Sequence, residues 1–270
     1  MLKTSQKYYE KESMFHGSVP HVMGTRFDIL LITPDYNSAQ KIWESTIYEL
    51  EHLDNLLNRF DPQSEISQLN KHLLQGKWFQ MSEELDTILN LCGQYYQQTF
   101  HLFDVTLKDF SQLHFHNDHY ISSEQQNISL DFGGFAKGYA LAKIREKIVA
   151  ENITDAFIDF GNSSILGLGH HPYGDCWKVS LLNPYNQSPL NEFSLKDTAL
   201  STSGNTAQYA GHIIHPVTGI RNQQRKACTI VSDDPLKAEI LSTVWMIADE
   251  KQQEMLCQKF DDITGNTYLL

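Results

Sequence analysis

The 270-residue chain contains no apolar run long enough to cross a bilayer, so no transmembrane helix is expected. Its N-terminus, MLKTSQKYYEKESMFHGSVPH, lacks the apolar centre of a signal peptide. As it stands, the chain is therefore expected in the cytoplasm; a periplasmic or membrane-anchored form requires a leader that has been trimmed away. Positive charge is scarce: 21 Lys and Arg face 33 Asp and Glu, a formal net charge of −12. That balance argues against nucleic acid or an anionic membrane as partner. An acidic protein that binds a phosphorylated ligand must supply positive charge locally, from a metal, a lysine or a helix N-terminus. The four cysteines (Cys92, Cys176, Cys228 and Cys257) form no CxxC pair and read as free thiols, not a disulfide or zinc framework. Repeats, low-complexity tracts and linkers are missing too. What remains is an ordinary globular composition, 41% hydrophobic and 20% charged, with ample chain for a core. We read one continuous α+β unit over residues 22–270, behind a polar lead at residues 1–21.

The stretch around which the rest is arranged is Asp131 to Val149, DFGGFAKGYALAKIREKIV. Ile128, Leu130 and Phe132 alternate as a strand edge, Gly133 and Gly134 turn the chain, and Leu141, Ile144 and Ile148 then recur at helical spacing. Two glycines allow close backbone approach, and free N–H groups at a helix start suit an anion such as phosphate. Lys137 in the first turn adds a point charge. The stretch is not a P-loop, because GxxxxGK[ST] is missing, and it lacks the GxGxxG spacing of a dinucleotide turn. A plain strand-to-helix turn and an anion site both remain open.

Elsewhere, Val22 to Thr33 predicts a strand interrupted by Gly24. Asn37 or Ser38 caps a long helix whose apolar positions run from Ile42 to Phe60. Ser64 to Asn70 reads as a polar turn, and Ser82 caps a second helix with Glu83 and Glu84 in its first turn. His114, His116, Asp118 and His119 crowd one short segment, but their spacing matches no structural zinc site, and a solvated loop is expected. Further strands are predicted at 156–160, 165–168, 177–182, 192–200, 212–214 and 227–231. A helix capped by Asp233 or Asp234 follows, carrying Pro235 in its first turn. A last helix from Asp249 to Phe260 precedes a final strand near Thr267 to Leu270.

Three segments carry candidate chemistry. Glu239 and Thr243 lie four apart and share a helix face, where a carboxylate and a hydroxyl can hold Mg²⁺, which takes few protein ligands plus phosphate oxygens. A solvated Glu and a packed Thr is the competing reading. ALSTSGN (Ala199 to Asn205) offers three small hydroxyls near a glycine, or merely a turn. In GHIIHPVTG (Gly211 to Gly219), His212 can serve as a general base at neutral pH or sit structurally beside a strand.

Seven segments in this order resemble the ApbE family, the FAD:protein FMN transferases. They are MGT (Met23 to Thr25), DPQSEISQLN (Asp61 to Asn70), FDVTL (Phe103 to Leu107), DFGGFAKGYA (Asp131 to Ala140), STSGN (Ser201 to Asn205), HIIHPVTG (His212 to Gly219) and AEILST (Ala238 to Thr243). The resemblance covers Val22 to about Ile247. It implies a flavin-binding α+β fold related to the tunnelling fold, with mixed or antiparallel sheets and packed helices. It further implies that Met23, Phe60, Phe103 and Asp104 contact the flavin nucleotide and that Asp131 and Lys137 act from the glycine turn. The Gly134 carbonyl, Glu239 and Thr243 are implied to hold Mg²⁺ on the FAD pyrophosphate.

The implied reaction is attack by a threonine hydroxyl of a target protein on the FMN phosphorus, releasing AMP, with His212 taking the threonine proton. Departures from the family pattern bear on this. Gly161-Asn162-Ser163 stands where the family usually has Gly-Gly-Asp, His215 where it has aspartate, and Val217 where it has a basic residue. Glu239 stands in place of an aspartate one methylene shorter. FAD pyrophosphate hydrolysis to FMN and AMP, and FAD binding without catalysis, are the alternative readings.

Overall fold

A computed structural model describes residues 2–125, 128–206 and 210–270. In chain order its elements are β1 (Ser5–Tyr9), β2 (Met14–Val22), β3 (Thr25–Ile32), α1 (Tyr36–Leu57), α2 (Glu65–Leu74), β4 (Phe79–Gln80) and α3 (Glu83–Gln98). There follow β5 (Leu113–His116), β6 (Tyr120–Ser123), α4 (Ala136–Ala150), β7 (Asp155–Phe160), β8 (Ser164–Leu168), β9 (Trp177–Leu182) and β10 (Pro189–Leu195). The chain closes with β11 (Thr198–Gly204), β12 (Lys226–Ser232), α5 (Pro235–Trp245), α6 (Glu250–Lys259) and β13 (Thr264–Leu269).

An eight-stranded sheet in the order β1-β2-β3-β7-β8-β11-β12-β13 forms the backbone of the molecule, and each neighbouring pair is antiparallel. Period-2 alternation sends Ala156, Ile158 and Phe160 of β7 into the main core, beneath the helices, while Phe157 faces the other way. On that second face the β9–β10 hairpin covers a smaller core of Ile165, Trp177, Phe193, Leu195 and Leu200. Helix α5 contacts β8, β11, β12 and α4, so it lies where the sheet and the helical layer meet. The described residues contain no helix long and apolar enough to cross a membrane.

Several local expectations change. The stretch read as a polar lead supplies β1 and β2, so the sheet begins well before residue 22. Val22 to Thr33 is not one strand: Met23 (φ 48°) and Gly24 (φ 78°) make the turn of the β2–β3 hairpin, and positive φ at both central residues matches the twist of the flanking strands. Asp35, not Asn37 or Ser38, caps α1 by accepting from the Asn37 N–H. That helix ends at Leu57, which leaves Phe60 outside it and 82% exposed.

Ser64 to Asn70 is helical. Ser64 Oγ accepts from the Ser67 N–H, and Ile66, Leu69 and Leu73 line the buried side of α2. Residues 128–132 belong to no strand; instead Asn70 Nδ2 donates to the Leu130 carbonyl, and the Leu130 N–H donates to Asn70 Oδ1, so a side chain plays the part of a neighbouring strand. Residues 192–200 divide between β10 and β11, with Asp197 at φ 56° in the break. STSGN is mostly the end of β11, not a turn, and 212–214 contributes only an isolated bridge from Ile214 to Arg221. The histidine-rich segment forms the β5–β6 hairpin, in which His119 Nδ1 lies 2.7 Å from Asp86 Oδ2 and His116 Nε2 lies 3.0 Å from Ser122 Oγ. Hydrogen bonding to Asp86, aided by nearby acids, raises the His119 pKa.

Candidate functional site

The glycine turn is anchored at both ends. The Asp131 N–H donates to the Val105 carbonyl at 2.8 Å, and Asp131 Oδ1 accepts from the Gly133 N–H at 2.9 Å. Phe135, fully buried at the helix start, stacks against Phe103 on one side and Tyr139 on the other. Its apolar ring cannot cap α4, so that end carries no side-chain cap. The FDVTL and DFGG segments are thus held together by main-chain bonding and aromatic packing. Arg59 joins them: its Nε lies 3.3 Å from Asp131 Oδ2, and its guanidinium sits 4.7 Å above the Phe60 ring. Arg59 thus links Asp131 to the loop that carries exposed Phe60.

Behind the turn, α4 presses against α5. A Cβ built on Gly134 would lie 3.0 Å from Thr243 Oγ1, and one on Gly138 only 2.5 Å from Glu239 Cβ. The missing side chains let the two helices approach and bring Lys137 onto Glu239. Lys137 Nζ donates to Glu239 Oε1, while Ser164 Oγ and Ser201 Oγ both donate to Oε2, the latter at 3.0 Å. Ser201 and Ser203 lie 3.0 and 2.8 Å from Ser242 Oγ, and Ser203 lies 3.3 Å from Thr243 Oγ1.

Glu239 is only 4% exposed, so its charge needs this density of donors. A buried ion pair of this kind adds little net stability but is costly to break, about 3–5 kcal/mol when one partner is removed. The oxygen groups beside the turn include the Glu239 carboxylate and the Thr243 hydroxyl. That set fits a hard divalent cation completed by water or phosphate oxygens and lacks the imidazole or thiolate that softer metals take.

The other predicted contacts lie around this knot. Met23 sits at the β2–β3 turn against the main core, and its neighbour Thr25 packs so closely on Gly161 (φ 71°) that an added Cβ would meet Thr25 Oγ1 at 2.4 Å. The Thr202 N–H donates to the Ser163 carbonyl at 2.7 Å, which ties the Gly161-Asn162-Ser163 turn to β11. Phe103 is buried against Tyr95 and Phe135.

Asp104 faces its own loop: Oδ1 accepts from the Thr106 N–H and hydroxyl, both at 2.7 Å, and Oδ2 from the Phe110 N–H at 3.0 Å. Burial pushes its carboxyl pKa up despite these bonds. It also borders an open cleft of about 470 Å³ lined by Tyr96, His101, Lys108, Asp109 and Val217. His212 is exposed, on the segment that leads to Val217. His215 is half-buried, and its Nδ1 is a buried atom without a hydrogen-bond partner among the described residues.

The geometry thus brings Gly134, Lys137, Glu239 and Thr243 together and, through Arg59, ties Asp131 to the loop that carries Phe60. Sequence reasoning missed Arg59, Ser164 and Ser242 and left Ser201 and Ser203 open between hydrogen-bonding hydroxyls and a plain turn. Only the run of hydroxyls in STSGN gave a signal.

Solved structures share the architecture. The flavin transferase ApbE from Vibrio cholerae superposes with a TM-score of 0.78 at 18% identity, covering 98% of this chain and 93% of that one. The Pseudomonas stutzeri flavinyl transferase ApbE, in its apo form, gives 0.78 at 18% identity over 96% of this chain and 90% of that one. The antiparallel sheet, its helical layer and the polar knot behind the glycine turn therefore define an α+β protein with the flavin-transferase fold. The family model described as "ApbE family" matches residues 23–126 and 108–265, and the chain belongs to the ApbE family.

Among curated relatives, the FAD:protein FMN transferase of Treponema pallidum (strain Nichols) is 26% identical over 185 residues, 59% of this chain and 50% of that protein. That of Chlamydia muridarum (strain MoPn / Nigg) is 22% identical over 244 residues, 76% of this chain and 75% of that protein. The match thus spans half of the Treponema protein, and only 26% of a third relative, from Rhodobacter capsulatus.

Proposed function

We propose that this protein is an FAD:protein FMN transferase: it moves FMN from FAD to a threonine hydroxyl of a target protein, in a Mg²⁺-dependent reaction that releases AMP. The observation that carries this reading is the convergence of Lys137, Glu239 and Thr243 behind the Gly134 turn. In this reading the threonine oxygen forms a bond to the FMN phosphorus as the bond from that phosphorus to the AMP oxygen breaks. His212, which is exposed, takes the threonine proton. Lys137 faces the pyrophosphate and neutralises charge that builds there. Glu239, Thr243 and the Gly134 main chain would hold Mg²⁺, which when bound would supply Lewis-acid stabilisation of the phosphoryl oxygens. Phe60 and Met23 flank the nucleotide, while Phe103 and Asp104 shape the loop on which it rests.

The names of the Treponema and Chlamydia relatives and the seven ordered segments support the reading. The test is incubation with FAD, MgCl₂ and a candidate acceptor protein, followed by intact-mass analysis of the acceptor and chromatography of the flavins. FMN attached to the acceptor is the expected result. Free FMN and AMP with an unmodified acceptor would assign hydrolysis instead, and unchanged FAD with saturable binding would leave a flavin-binding protein without turnover.

A further inference from the structure

Glu239 emerges from α5 into a pocket with very few ways to orient it. Gly138 sets its backbone close to α4, since any Cβ there would overlap Glu239 Cβ and approach the Pro235 carbonyl at 2.8 Å. That closeness places the side chain but leaves its carboxylate free to rotate. Rotation is stopped from the sheet side. Ser164, at the start of β8, and Ser201, in β11, both donate to Oε2, and both are only 2% exposed. Oε1 is thereby turned towards Lys137 and away from the sheet. Behind Ser201 stands Ser242, fully buried, whose hydroxyl donates to the Glu239 carbonyl at 3.0 Å. Three buried hydroxyls from three elements thus surround one glutamate, and two of them grip the oxygen that Lys137 does not use. Apolar residues at 164 and 201 would leave that oxygen in a dry environment with no donor.

We infer that Ser164 and Ser201 are positioning residues for the cation-binding carboxylate: they hold Glu239 Oε2 so that Oε1 faces the site. This rests on the proposed reading of Glu239 as the Mg²⁺ carboxylate. It adds an outer layer that sets the metal affinity of this chain, in the way that hydrogen-bonded partners tune metal-ligating side chains generally.

Ser164→Ala and Ser201→Ala should each weaken binding of Mg²⁺, or of Mn²⁺ as a spectroscopic probe, by roughly 10–100-fold. Affinity for FAD without metal should stay within about twofold, because neither serine contacts the nucleotide in this assignment. The readouts are Mn²⁺ titration by electron paramagnetic resonance and FAD titration by fluorescence, with metal-free thermal unfolding to confirm that each variant folds. Ser201→Thr keeps the hydroxyl and should recover most of the affinity. On a Glu239→Gln background, which removes the charge being oriented, Ser201→Ala should cause little further loss; an additive loss would mean that the serine acts elsewhere, and the inference fails. Wild-type metal affinity in both single alanine variants likewise overturns the inference and leaves the transferase reading intact. Absence of metal binding by the wild type overturns both the inference and the metal part of that reading.

Discussion

Glu239 is the residue on which the polar contacts of the site converge, and its length matters. Its two oxygens meet Lys137 on one side and Ser164 and Ser201 on the other. Glu239→Asp withdraws the carboxylate from all three by one methylene and leaves a half-buried ammonium and two buried hydroxyls without their partner. We therefore expect lower Mg²⁺-dependent FMN transfer than wild type, even though aspartate is the residue the family pattern would place there. Activity at or above wild type would show that the longer side chain confers no fit. The histidine pair separates in a different way. His212→Ala should slow transfer by roughly 10²–10⁴-fold with FAD affinity nearly unchanged, as expected for loss of a general base. His215→Ala should cost far less, since its Nδ1 already lacks a partner among the described residues. Equal losses in single-turnover transfer would instead assign the whole segment a structural role. At this scale helical spacing showed that Glu239 and Thr243 share a face and the glycine turn pointed to Lys137, while their grouping with Gly134 came from the family resemblance. Ser164 was not: its partner lies 75 residues away, and a lone serine at a strand start carries no periodic signal.

Between elements, the decisive contact is that of α4 with α5, and it turns on Gly138. By propensity alone, alanine in a helix interior is favoured over glycine by about 1 kcal/mol. Here the added Cβ meets Glu239 Cβ at 2.5 Å and the Pro235 carbonyl at 2.8 Å, and neither a Cβ nor a main-chain atom can swing aside. Overpacking of this kind costs about 1–3 kcal/mol and outweighs the propensity gain. Gly138→Ala should therefore lower the urea midpoint and loosen the Lys137–Glu239 pair; a higher midpoint would mean that the helices separate without penalty. Helices α3 and α5 could be read from the sequence because a polar cap precedes the helix, as Ser82 and Asp234 do here, and α6 from its polar, capped start at Asp249. Helix α2 escaped because its stripe needs Leu73, which lies beyond the Ser64 to Asn70 segment. The alternation of Ile128, Leu130 and Phe132 does mark burial, but Asn70 and the Val105 carbonyl supply the bonds that a strand would have given.

For the whole molecule, the sheet order joins segments that periodicity cannot pair, such as β3 with β7 across more than a hundred residues of intervening chain. It also draws residues 14–19 of β2 against the core. Phe15 and Val19 are fully buried, and Gly17 lies under the Trp43 ring of α1, where a Cβ would come within 2.5 Å. Deleting residues 2–21 leaves every one of the seven family segments in place, so a reading of that stretch as a dispensable lead expects an active protein. The structure gives the opposite expectation. The deletion removes β1 and nearly all of β2, strips the cover from α1 and exposes the hydrogen-bonding edge of β3. Loss of Phe15 and Val19 alone forfeits about 1.5–3 kcal/mol each, a large part of the 5–15 kcal/mol that typically holds a domain together. The newly exposed edge would also invite pairing with another chain. The truncated protein should therefore aggregate or show no cooperative thermal transition and no saturable FAD binding, whereas the full chain should show both. Circular dichroism melts and FAD fluorescence titration of the two proteins decide the matter. A truncated chain that melts cooperatively and still binds FAD would mean that the sheet begins, in energetic terms, at the Met23 turn.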